Sequence, residues 1–181
     1  MDIFGGTDSL LFTRLRQDLG LVYSAWFFQT YKWNAGILVG QIGCRGDKTS
    51  EAIRETTKIM TSLRKKIPEE DLEQKRMDIL NSFVFNVDTP AALVDVYAGY
   101  YMRHEPLDTL EKIQEAYMSA TKEELEILAK KLLDPGKLQI FVVGDKATIV
   151  GKGGGTEISL EEDLKALAKE LGLPFREIPL R

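Results

Sequence analysis

At Gly20 the chain changes period, and this switch constrains the fold more than any other feature. Upstream, residues 7–19 place Leu10, Leu11, Leu15 and Leu19 on one face of a helix, with Thr7, Asp8 or Ser9 available to cap it. Gly20 suits the left-handed conformation that ends a helix. Downstream, residues 22–31 and 36–44 are aromatic, β-branched and apolar runs, parted by Lys32-Trp33-Asn34-Ala35. That pattern predicts an antiparallel hairpin. Gly40 and Gly43 inside the second run predict a bulge or the close packing of another element.

Helices dominate the rest of the chain. Residues 47–66 are amphipathic, with Ile53, Met60, Leu63 and Ile67 at helical spacing. Pro68 followed by Glu69, Glu70 and Asp71 opens a second helix that runs to about residue 87, with acids at the positive end of its dipole. Thr89-Pro90 starts a third, ending near His104, and residues 107–117 form a fourth. Thr121 to Glu124 reads as a capping box for a fifth, broken at Asp134-Pro135-Gly136. Residues 138–143 predict a short buried strand, 151–155 a flexible loop, and Ser159 to Glu162 the cap of a last helix stopped by Gly172. Residues 175–180 predict a short terminal strand. This order is α+β, with helices packed on one face of a mainly antiparallel sheet. The sheet is thin, so an N-terminal strand is expected to be missing. Residues 1–181 then form a single domain that is a fragment of a longer chain.

Composition closes several functional classes. A net charge of -4 argues against nucleic-acid binding. No apolar stretch approaches the roughly 18 residues of a membrane span. The opening residues lack the pattern of a signal peptide, and both the bacterial periplasm and the cytoplasm stay open as compartments. A zinc site needs several ligands at set spacings, but the chain has one histidine and one cysteine, far apart. His104-Glu105 has no second histidine three or four residues on, so no metal site is expected. Cys44, without an evident histidine partner, reads as a small core residue. Gly-Lys-Gly-Gly-Gly at 151–155 lacks the ending of a phosphate loop. The acidic clusters occupy helix starts, where they compensate dipoles. Two features remain. Gly5 and Gly6, before the first helix, could cradle an anion or a substrate backbone. Arg16 and Tyr23 offer a guanidinium and a phenol, donors that could hold a substrate carbonyl or a developing oxyanion.

The segment FGGTDSLLFTRLRQDLGLVYS resembles the start of the non-catalytic half of pitrilysin/insulinase-type zinc peptidases, in particular the bacterial enzymes similar to mitochondrial processing peptidase. EEDLEQKRMDILNSF is similar to that family's Glu-Leu-x-x-x-Lys helix, and residues 107–133 leading into LQIFVVGD resemble its closing helices and strand. The resemblance implies a metallohydrolase-like half-domain of the LuxS/processing-peptidase type, inactive alone, from a parent zinc-dependent metalloendopeptidase. The zinc would sit on a homologous His-x-x-Glu-His partner domain, so this chain would carry no cofactor of its own. Arg16 and Tyr23 would stand for an auxiliary catalytic pair that positions the scissile peptide and stabilises the tetrahedral intermediate. Gly5 and Gly6 would belong to a substrate-binding loop. Two other readings stay open: a non-proteolytic scaffold or core-type subunit of a larger complex, and a self-associating module in which a second copy supplies a strand to a homodimer.

Overall fold

The computed structural model describes residues 9–32, 35–83 and 87–178. Ser9 caps the first helix, its hydroxyl accepting the Phe12 N–H at 3.2 Å. This helix, α1, makes one α-helical turn over Leu10–Phe12 and continues as a π-helix over Thr13–Asp18. The wider ring is closed by the Leu19 N–H on the Arg14 carbonyl, five residues back, at 3.2 Å. Leu11 and Leu15 on its inner face are fully buried. Gly20 stops it at φ +60°, as the change of period predicts.

Strands β1 (Val22–Lys32) and β2 (Ala35–Cys44) form the expected antiparallel hairpin. Ala25 pairs with Ile42 and Phe27 with Gly40 on the face turned to the core. Trp26, Phe28 and Ile37 lie on the other face and are exposed. The close packing expected at Gly40 is the ring of Phe27, which occupies the space a Cβ would need. The bulge falls on β1, between Val22 and Ser24, and not on β2.

A short 3-10 turn, Gly46–Lys48, leads into α2 (Thr49–Leu63), whose Ala52, Met60 and Leu63 are buried at helical spacing. Helices α3 (Glu69–Phe83), α4 (Pro90–Met102), α5 (Thr109–Ser119) and α6 (Lys122–Leu132) follow. Thr89 caps α4 with proline in the first turn, and Thr121 and Glu124 close a reciprocal capping box on α6. A second hairpin, β3 (Ile149–Gly151) with β4 (Glu157–Ser159), turns through Gly154 and Gly155 at φ +83° and +80°. Ser159 and Glu162 box the start of α7 (Leu160–Leu171), and Gly172 ends it at φ +68°. The architecture is α+β, with small antiparallel sheets. The main core joins α1, the hairpin, α2 and α6 through residues such as Leu15, Val22, Met60 and Ala129.

Three expectations change. Residues 151–155 are not a plain loop: Gly151 ends β3, and 152–155 belong to the turn of the β3–β4 hairpin. Residues 138–143 form no strand, and Phe141 and Val143 are 79% and 89% exposed. A strand exists only where a second strand accepts its hydrogen bonds, and no described segment pairs with this one. Residues 175–178 are likewise outside any strand.

Candidate functional site: a π-helix joined to a β-bulge

Two departures from regular structure face each other at the head of the hairpin. The first is the π-helix of α1, which carries Arg16. The second is the bulge at Tyr23. Val22 pairs with Cys44 and Ser24 with Gly43, so Tyr23 has no partner on β2. Val22 and Ala25 are both buried although three residues apart. A strand with period two cannot place both on one face, and the extra residue of a bulge supplies the missing step. Tyr23 therefore turns out of the alternation, and it is 64% exposed.

One hydrogen bond ties the two irregularities together. Arg16 Nη1 donates to the Val22 carbonyl at 2.9 Å. That carbonyl belongs to the peptide unit ending on the Tyr23 nitrogen. Arg16 and Tyr23, singled out from sequence, are thus brought together through a backbone group. The guanidinium makes no other hydrogen bond among the described residues. An exposed phenol and a partly used guanidinium, linked through the Val22 peptide unit, can each donate to a peptide carbonyl or to an oxyanion.

The other candidates fall elsewhere. Gly5 and Gly6 lie outside the described residues. Cys44, opposite Val22, packs against the core with its Sγ 3.6 Å from the Thr49 hydroxyl. His104 ends α4 in the left-handed region, at φ +58°. Among the described residues no three His, Cys, Asp or Glu side chains group so as to hold a metal ion. No described helix is long and apolar enough to cross a membrane. The perturbed carboxyls are structural. The Thr121 backbone N–H holds Glu124 below the usual range, and the Ser159 backbone N–H does the same for Glu162. The Arg54 guanidinium holds Glu170 down by hydrogen bonding.

Sequence reasoning missed what supports the pair: the Val22 carbonyl, the bulge and the π-helix. The spacing of Val22 and Ala25 carries a readable signal of the bulge. Residues 13–18 carry no such signal of the π-helix.

The fold is an α+β domain with small antiparallel sheets. Residues 1–78 match the family described as peptidase M16 inactive domain, a stretch that holds both Arg16 and Tyr23. A crystal structure of a peptidase M16 inactive domain from Pseudomonas fluorescens has the same fold. Its TM-score is 0.67 at 18% identity, over 74% of this chain and 32% of that one. The chain thus spans about a third of the length of that solved protein. No curated protein matches it. The first 78 residues are thus similar to the inactive domains of the peptidase M16 family, and the fold is similar to that of the solved one.

Proposed function

We propose that this domain is the non-catalytic half of a zinc metallopeptidase, which binds extended peptide and completes the cavity of a His-x-x-Glu-His partner domain. The observation that carries the reading is the Arg16 bond to the Val22 carbonyl, beside an exposed, bulged Tyr23. Bulges and π-helices are enriched next to functional sites because they re-aim side chains at some cost in regular hydrogen bonding. In the reaction, the phenol of Tyr23 would donate to the substrate carbonyl oxygen as negative charge grows there. The described residues of this chain offer no metal-ligand set, and the zinc would be the partner's.

The test is peptide hydrolysis by the chain mixed with a zinc-loaded His-x-x-Glu-His partner domain, with each part alone as control. Turnover is expected only in the mixture. Tyr23→Phe is expected to lower kcat by about 10²-fold, the cost of one lost oxyanion donor, with little change in KM. Wild-type turnover by the Tyr23→Phe mixture would remove the proposed role.

A second reading, a non-proteolytic subunit of a larger complex, draws on a different observation. Phe141, Val143 and Tyr101 are strongly exposed, and a partner subunit that covered them would bury apolar side chains. Stable association with the partner in the absence of any hydrolysis would favour it.

A further inference from the structure

The bond between Arg16 and Val22 separates the roles of the two site residues, which the peptide-binding reading treats alike. We infer that Arg16 is a positioning residue: it acts through the Val22 carbonyl to hold the β1 bulge that presents Tyr23, and its effect on substrate passes through Tyr23. The functional consequence rests on the peptidase reading; the positioning itself does not.

Three observations converge on this role. The guanidinium is directed at backbone, with Nη1 2.9 Å from the Val22 oxygen, so one of its fixed donors is already committed in the free protein. The acceptor lies one peptide unit from the residue it would orient, and the strand pairing skips that residue. A bulged residue lacks the cross-strand bonds that fix its neighbours and depends on other contacts for its direction. Finally, Arg16 stands in the π-helical stretch, where the widened ring shifts residues around the helix axis relative to an α-helix. Gly20, at φ +60°, then folds the chain back so that the guanidinium meets the start of β1. The turn is pinned by the Leu21 N–H on the Leu15 carbonyl at 2.8 Å. Buried Leu15 and Val22 anchor the helix and the strand on either side. The helix, the turn and the bulge are a single unit, and Arg16 is the side chain that closes it.

The experiment labels the full chain with 3-fluorotyrosine and follows the 19F resonance of Tyr23, assigned by its loss in Tyr23→Phe. Arg16→Ala is expected to move and broaden that line. The lines of Tyr97, Tyr100 and Tyr101 on α4 report a part of the fold remote in sequence and are expected to stay. Arg16→Lys, which keeps a charged donor, is expected to restore the Tyr23 line in part. It also serves as the second variant if the alanine chain does not fold. An unmoved Tyr23 resonance in a folded Arg16 variant would overturn the inference. In the reconstituted peptidase, Arg16→Ala is expected to cost less than about twofold further when introduced into Tyr23→Phe, because both changes disable one device. Losses that multiply would instead place Arg16 on the substrate and overturn the inference. If the mixture never hydrolyses peptide, the peptidase reading falls and the Tyr23 resonance still decides the positioning.

Discussion

A Cβ built on Gly40 would lie 2.1 Å from Cε2 of Phe27 and 2.6 Å from its Cδ2. No rotation about the glycine backbone relieves that contact, because the ring crosses directly from the paired position on β1. Gly40→Ala must push the ring out of its place against the core, which costs about 1–3 kcal/mol, as overpacking does. A lower urea midpoint with an unchanged m-value is expected, and an unchanged midpoint would mean that Phe27 is not held on Gly40. Features of this kind are half legible in the sequence. A glycine inside a β-branched run signals a close approach, but the approaching group is set by register, which depends on the whole hairpin. Tyr23 is similar: its phenol is visible as a candidate donor, while its direction follows from a bulge. Caps and stops are fully legible because their physics is local. Ser159 with Glu162, Thr121 with Glu124 and the left-handed Gly20 and Gly172 all stand where residue type predicts.

The elements depend on one long side chain more than their sequences suggest. Helix α5 ends at Ser119, where the Ser119 hydroxyl and the Ala120 N–H bond the Glu115 and Ala116 carbonyls. Arg76 on α3 holds the carbonyls that come after these. Its Nη1 donates to the Tyr117 carbonyl at 3.0 Å and to the Met118 carbonyl at 2.5 Å, and its Nη2 donates to Ala120 at 2.7 Å. These carbonyls carry the negative end of the helix dipole, so a cation is stabilising there. Arg76→Met keeps most of the stem but removes the donors, and it is expected to destabilise the protein by about 2 kcal/mol. Hydrogen exchange would show the loss as faster exchange concentrated at the end of α5; uniform acceleration across the chain would contradict the capping role. Nothing in residues 107–119 announces this dependence, since the partner lies some forty residues upstream. The same distance effect explains residues 138–143. Their apolar run matches a buried strand by composition, but burial needs a partner segment that composition cannot name, and Phe141 and Val143 are exposed.

At the scale of the molecule, the last helix is tied to the rest by charge as well as by packing. Asp163, at the start of α7 and only 3% exposed, pairs with Lys152 of the β3–β4 turn. Near the other end of α7, Glu170 accepts a bidentate bond from Arg54 of α2, with Nε 3.0 Å from Oε1 and Nη2 2.8 Å from Oε2. The two partners shift in the senses this bond requires. Hydrogen bonding to Glu170 raises the Arg54 guanidinium, and hydrogen bonding to Arg54 lowers the Glu170 carboxyl from 4.5. A carboxyl whose folded pKa lies below its unfolded value contributes stability that is fully present above the unfolded value. That stability is lost as pH falls through the folded one. The tie between α7 and α2 therefore holds unchanged at neutral pH and disappears in acid, starting below about pH 4.5. Glu170 is half exposed, so the contribution stays under about 1 kcal/mol. Thermal melts of the wild type and of Arg54→Ala are expected to differ by a constant small amount between about pH 6 and 8, and to converge as pH drops below about 4. If the two profiles run parallel down to pH 3, the bidentate pair does not form in solution, and α7 is held to α2 by packing alone.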